Sequence, residues 1–288
     1  LALADKSVKG YPEIFKLFDY RFSKKKTQRT LQKELDQMIK GHHKLVQPIP
    51  DPMRKIIRQH LEYFNQKKPD DFNLQKASIG NLVLTAGYLQ NNRNFDVIIY
   101  IFSSLVQVRG IVRPVVNKDL DLAVELEDGT QLVSQHLFSG KEASPIAFPI
   151  RALELSKDSD QLSPVQIPIR EKMKKLIGQA ELICYPMGSY YSSILANLLP
   201  KGVGKAIKSN PCPKIMIPNT SNDPETFGMT LEDQIERLIE YLRKDDPENI
   251  TASDVLSFIL LDKNDSVYQG KFRASKYKKL GIEVIRCP

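Results

Sequence analysis

A run of small and hydroxyl-bearing residues follows a short apolar stretch at the centre of the chain. Leu182 to Cys184 read as the end of a buried strand, and Gly188, Ser189, Ser192 and Ser193 come directly after it. A helix starting there would present free backbone N–H groups, and with the serine hydroxyls these suit a phosphate or another anion. The same residues also serve a plain turn, with Gly188 permitting it and the serines capping the helix. Two further loops carry similar chemistry. Ser78-Ile-Gly-Asn81 opens a helix, and Asn219-Thr-Ser-Asn-Asp-Pro-Glu-Thr226 follows the strand Ile215 to Ile217. Asn81 can bond a base or ribose or simply pack at its helix start. Asn219 can orient a phosphate or hold its own turn. Asp223 and Glu225 are candidate magnesium (Mg2+) ligands beside a diphosphate, or loop caps, and Lys76 can reach an anionic substrate or stay solvated. If the sheet is parallel, all three loops sit at strand carboxyl ends, where open α/β sheets take their ligands. Gly202-Val-Gly204-Lys205 lacks both the spacing and the preceding strand of a phosphate-binding loop, which leaves a close-packed helix junction as its reading.

The elements that must place these loops divide the chain. The first ninety residues predict helices at 12–18, 30–39 and from Asp51 onward, then 81–89 and 97–108. Asp51 caps the third, and Met53, Ile56, Ile57, His60, Leu61 and Phe64 form its apolar stripe. From Ile111 the period changes to strands at 111–116 and 120–126, with Glu127-Asp-Gly-Thr130 as a hairpin turn into 131–135, and one short strand follows near 150–155. Helices at 168–179, 190–199 and 202–208 then alternate with strands at 181–185 and 214–218. A capping box at Thr230 and Asp233 opens the next helix, a helix at 251–259 and a basic loop follow, and a strand at 282–286 closes the chain. The expected fold is α/β, a Rossmann-like three-layer arrangement with a largely parallel central sheet and a small antiparallel hairpin, built as a single domain over 1–288.

Composition sets the outer bounds. The 288 residues are 41% hydrophobic and 26% charged, and no window nears the roughly 20 apolar residues of a membrane span. The formal charge of +8 suits acidic ligands or a solvated basic surface. Its lysines, in runs such as Lys24-Lys-Lys26 and Lys172, Lys174 and Lys175, are not interleaved with exposed aromatics as a nucleic-acid track would be. Cys184, Cys212 and Cys287 have no metal-ligand spacing and read as reduced, largely buried thiols of a cytoplasmic protein. The four histidines form no zinc motif.

Taken together and in order, the three loops resemble the CofD-like superfamily of 2-phospho-L-lactate transferases, and in particular the YvcK-like branch of bacterial gluconeogenesis factors, from about residue 12 onward. The corresponding segments are Gly80-Asn81-Leu82, Pro186-Met-Gly-Ser-Tyr-Tyr-Ser-Ser193, and Asn219 to Thr226, with Ile111 to Pro114 and Leu122 to Gly129 similar to the central strands. The resemblance implies either a magnesium-dependent transferase of substituted phosphate groups or a regulatory binder of a nucleotide diphosphate or uridine-diphosphate sugar, and it leaves room for a homodimer. By that analogy Gly188, Ser189 and Ser193 cradle phosphate while Asn81 and Asn219 orient the nucleotide or acceptor. A non-catalytic interaction protein is the third alternative. The superfamily pattern also places a strand, a Gly-rich nucleotide loop and an acidic Asp-Asp-Gly-Gly-type segment before these motifs. With a first residue that is not Met, they are expected upstream of Leu1. Pro186 and Met187 make the second motif bulkier than its counterpart, and the third loop is shorter.

Overall fold

A computed structural model describes residues 4–140 and 143–287. Leu1 to Leu3, on which the reading of an incomplete start rests, lie outside the described residues. The chain divides into two compact units, Leu1–Asn117 and Lys118–Pro288.

The first unit is helical: α1 (Tyr11–Asp19), α2 (Gln28–Lys40), α3 (Met53–Lys67), α4 (Ile79–Gln90) and α5 (Phe95–Leu105). Capping follows residue type. Thr27, Ser78 and Asn94 accept N–H bonds at the starts of α2, α4 and α5, and Gly41 ends α2 at φ 79°. Asp51 does not cap α3. Pro52 holds the cap position without a side-chain bond, and the Asp51 carboxylate instead pairs with Arg54 at 3.3 Å. Leu17, Leu31, Leu35, Met38, Ile57, Leu61, Ile79 and Val83 form the core.

Helix α4 sits in the middle of this core because two glycines let its neighbours close in. A Cβ on Gly80 would stand 2.9 Å from the Phe18 carbonyl oxygen, and one on Gly87 would stand 2.1 Å from the Ile98 side chain and 2.9 Å from His60. The strand expected at 111–116 does not form. Pro114 has no N–H to give a ladder, and Ile111 and Val112 are exposed.

The second unit holds two sheets. In the antiparallel one, ordered β2-β1-β3, β1 (Asp121–Leu126) pairs with β2 (Gln131–Val133) through the expected turn. Gly129 takes φ 86° there, and Asp128 accepts the Thr130 N–H at 2.9 Å. The isolated strand expected near 150–155 is β3 (Ile150–Ser156), which joins the other edge of β1. The free edge of β3 is closed at its end by a backbone bridge from Pro164 to Ser156 and elsewhere by side chains. The Tyr191 hydroxyl donates to the Ile150 carbonyl at 3.0 Å, Arg237 donates to that of Arg151 at 2.6 Å, and the Leu153 N–H donates to the Tyr241 hydroxyl at 2.8 Å.

The second sheet is parallel throughout, ordered β4 (Ile183–Tyr185), β5 (Lys214–Met216), β6 (Phe258–Asp262) and β7 (Glu283–Cys287). Helix α6 (Glu171–Gly178) leads into β4, and the crossovers carry α7 (Val203–Ser209), α8 (Leu231–Arg243), α9 (Ala252–Val255) and α10 (Ala274–Lys279). The α/β class with a parallel sheet and a small antiparallel one is therefore as the sequence implies.

Several details differ from the sequence reading. β4 is an edge strand with Leu182 and Cys184 exposed, so Cys184 is not the buried thiol expected. The helix expected over 251–259 ends at Val255, and Phe258 onward turns into β6, an apolar run that periodicity cannot assign. The basic loop contains the short α10. Helix 190–199 is instead a π turn at Tyr190–Ile194 followed by a 3-10 turn at Leu195–Leu198. Tyr190 and Tyr191 are both buried, and their hydroxyls reach different partners, the carbonyls of Gln234 and Ile150. Among the described residues no helix is long and apolar enough to cross a membrane.

His60 on α3 is 6% exposed, and its Nδ1 has no hydrogen-bond partner among the described residues. Burial disfavours the imidazolium and holds the His60 pKa below its ordinary 6.5. The unfolded chain therefore takes up this proton first. The stability is fully present above the ordinary value and is lost as pH falls below it. Thermal unfolding followed from about pH 7.5 to about pH 5 is expected to show a fall in midpoint that the His60→Leu variant largely lacks. Identical pH profiles for the two proteins would refute this.

Candidate functional site

The loop after β4 and the segment after β5 are joined by carboxylates. Asn219 grips Gly188 from both ends of its amide, accepting the Gly188 N–H at 3.0 Å and donating to the Gly188 carbonyl at 2.6 Å. Asp223 accepts the Tyr190 N–H at 2.7 Å on one oxygen and the Glu225 N–H at 3.1 Å on the other. Glu225, 1% exposed, accepts the N–H groups of Tyr191 at 2.9 Å and Ser192 at 2.8 Å, and the Ser192 hydroxyl at 2.5 Å. The donors that the sequence offers to an anion at residues 190–192 are thus engaged by two of the chain's own carboxylates.

The physical reason is local. Asp223 starts a 3-10 turn at Pro224–Thr226, and that turn aims both carboxylates back at the crossover. Burial, partly offset by the Ser192 bonds, pushes the Glu225 carboxyl above its ordinary range. A magnesium ion bound by this pair would need oxygens that already face four N–H groups and a hydroxyl. Glu225 therefore does not fit the metal-ligand role, and only Asp223 borders open space. Among the described residues no group of three or more His, Cys, Asp and Glu side chains is placed to hold a metal.

Of the residues chosen from sequence, Gly188, Ser189, Ser192, Asn219, Asp223 and Glu225 lie together in the second unit, with Ser193 exposed on the same turn. Asn81 and Lys76 belong to the first unit. The Asn81 N–H is taken by Ser78 Oγ at 3.4 Å, and Lys76 sits at φ 62° with its carbonyl accepting from Arg21. The Gly202-Val-Gly204-Lys205 segment is the helix junction expected. A Cβ on Gly204 would lie 2.0 Å from the Leu242 carbonyl oxygen, and Asp245 accepts the Gly202 and Lys205 N–H groups at 2.8 and 3.2 Å.

Open space lies beside the carboxylates, at the carboxyl ends of β5 and β6. A cleft of about 290 Å3 is walled by Asn219, Ser221, Asn222, Asp223, Thr226 and the start of α8 on one side, and by Val267, Tyr268 and Gln269 on the other. The side chains of Ser221, Asn222, Gln234 and Gln269 line it and make no hydrogen bond among the described residues. Sequence reading missed Gln234, Tyr268 and Gln269. Gln234 lies inside a helix, and the other two lie in a loop whose preceding strand was read as helix.

Glu225 binds three donors at once, so removing it leaves buried groups unpaired. Glu225→Ala is expected to lower unfolding stability by about 3 kcal/mol, and Glu225→Gln, which keeps one acceptor oxygen, by about 1 kcal/mol. Equal losses in denaturant titrations of the two variants would contradict the carboxylate bonding.

Comparison with known proteins gives this geometry a family. A gluconeogenesis factor of Halalkalibacterium halodurans is 30% identical over 213 residues, covering 73% of this chain and 61% of the relative. One from Bacillus subtilis is 29% identical over 240 residues, covering 82% and 70%. The chain thus spans between about three-fifths and seven-tenths of the length of these two relatives. A crystal structure of a UPF0052 family protein from Bacillus halodurans superposes with a TM-score of 0.58 over 92% of this chain and 82% of the other; at 23% identity the likeness is one of fold. The model of the family described as 2-phospho-L-lactate transferase CofD matches residues 2–286, and the chain belongs to that family.

Proposed function

We propose that the chain binds a nucleotide diphosphate or a nucleotide-sugar, in a regulatory role, at the cleft beside Asn219 and Asp223. The observation that carries the reading is the placing of unbonded side-chain amides and a hydroxyl around a concave site at the carboxyl ends of parallel strands, the usual ligand position in open α/β sheets. At about 290 Å3 the cleft is at the small end of ligand sites and suits one ring rather than a whole nucleotide. The rest of the ligand would extend toward the Gly188-Ser189 turn, which Asn219 holds in place. In this reading Ser192 and Glu225 are positioning residues. They fix the turn and do not touch the phosphates.

Two considerations favour binding over transfer. The relatives above are named gluconeogenesis factors, which fits control of carbon flow. Phosphoryl-type transfer also needs the developing charge held by a metal or by cations. The cleft has one carboxylate and no Lys or Arg in its lining, and Glu225 is committed to the turn.

Calorimetric titration with UDP, a UDP-sugar and GDP, each with and without magnesium, is expected to give saturable binding that prefers the uridine ligands. Gln234→Ala and Gln269→Ala should each weaken it about tenfold, and Asn219→Ala at least as much. Binding unchanged in all three variants would overturn the location. Magnesium-dependent product from a phospholactyl donor would move the reading to transfer.

A further inference from the structure

Helix α8 leads from the candidate ligand cleft, where Leu231 and Gln234 line it, back toward the amino ends of the parallel strands. At its far end is a second cleft of about 320 Å3, lined by Arg151, Ala152, Arg237, Glu240, Tyr241, Arg243, Lys244 and Pro247. Gln234 and Lys244 are ten residues apart, roughly 15 Å along the helix at about 1.5 Å per residue. The two clefts share no residue.

The second cleft has the opposite chemistry to the first. Its lining carries four cations, Arg151, Arg237, Arg243 and Lys244, against the single carboxylate of Glu240. The guanidinium groups are fixed largely by neutral acceptors. Arg237 donates to the Arg151 carbonyl at 2.6 Å, and Arg243 donates to the carbonyls of Ile250 and Pro247, each at 2.6 Å. Carbonyls fix a guanidinium in place without cancelling its charge. The carboxylates nearby do little more. Arg237 is 3.6 Å from Glu240, which is two-thirds exposed, and Arg151 pairs with Glu125 at 3.2 Å through a well-exposed side chain. Lys244 makes no ion pair among the described residues, and its ammonium lies 5.5 Å from the centre of the Tyr241 ring. Tyr241 itself is pinned by the Leu153 N–H on β3, so the wall that carries Lys244 is rigid.

Part of this has a structural explanation. Cations are favoured at a helix carboxyl end, and Arg243 and Lys244 end α8. That does not account for Arg151, which comes from β3, or for Arg237, nearly two turns earlier, both turned into the same concavity.

We propose that this cleft is a second binding site, for a small phosphate-bearing or otherwise multiply anionic molecule. Arg243 and Lys244 supply the unneutralised charge, Arg237 stands about two turns before Lys244 on the same helix, and Arg151 adds a cation from β3. Guanidinium groups held in a fixed orientation suit the paired oxygens of a phosphate, and a concavity of this size suits a small molecule rather than a polymer track. The site stands independently of the proposed nucleotide cleft.

The test titrates pyrophosphate into the full chain, with UDP present at saturation if UDP binds, and reads both heat and amide shifts in 1H–15N spectra. Shifts should cluster at 151–152 and 237–247. Lys244→Ala should weaken binding about tenfold and Arg151→Ala combined with it about a hundredfold, and raising the salt from about 50 to about 300 mM should weaken the unmodified protein. Both side chains are exposed, so neither variant threatens the fold. No saturable pyrophosphate binding, equal affinity in Lys244→Ala, or shifts confined to 219–234 and 267–269 would each overturn the proposal.

Discussion

The second unit depends on two buried carboxylates that accept backbone N–H groups across a gap in the chain of more than thirty residues. Asp223 and Glu225 reach from the segment after β5 to residues 190–192 after β4 and hold the two strand-end loops in one arrangement. Such bonds are stronger than neutral ones because the acceptor is charged. They are also costly to break, because Glu225 and Tyr191 are buried and the Tyr191 N–H has no water to turn to. Asn219 extends the same clasp to Gly188. The wall of the candidate cleft is therefore stiff before any ligand arrives, and a ligand does not have to spend affinity on ordering it.

The clasp also ties the two sheets of this unit together. With their N–H groups anchored, Tyr190 and Tyr191 turn inward, and their hydroxyls end on the Gln234 and Ile150 carbonyls. One of those acceptors is on α8 and the other on the edge of β3, so a single turn connects the parallel sheet, its main helix and the antiparallel sheet. Tyr241 and Arg237 add two more links from α8 to the same edge. With the backbone bridge at Ser156 and Pro164, these side chains cover the free edge of β3 and protect it from pairing with a foreign chain.

What could be read from the sequence follows the range of the forces involved. The helix start at Ser78, the capping box at Thr230, the Asp128–Gly129 turn and the close junction at Gly204 are decided within a few residues, and each was visible beforehand. The parallel order of the late strands followed from alternation of period. Loop capping was one of the two readings of Asp223 and Glu225, and Asp223 does cap the Pro224–Thr226 turn. Their long-range bonds were not visible, because a carboxylate four residues past an Asn looks the same whether it faces a metal, solvent or an N–H group thirty residues away. Ser192 illustrates the same limit. Its type suits phosphate, yet its hydroxyl and its N–H both go to Glu225. Gln234 and Gln269 carry no local pattern, and only the fold brings them to one cleft.

A helix N-terminus attracts an anion because its N–H groups lack partners, and a protein can satisfy that demand with a ligand or with itself. This chain does the latter twice in one unit, with Asp223 and Glu225 at residues 190–192 and with Asp245 at the start of α7. The consequence is a separation of tasks. Donors that suit phosphate are withdrawn into structure, and neutral amides remain at the strand ends. Positive charge gathers at the other end of α8, where Arg243 and Lys244 have no carboxylate partner among the described residues. In a fold of this kind, recognition of a ligand's uncharged ring and attraction of its charge need not occupy the same place. Motifs that name phosphate-binding residues by type then point to the frame of a site rather than to its contact surface.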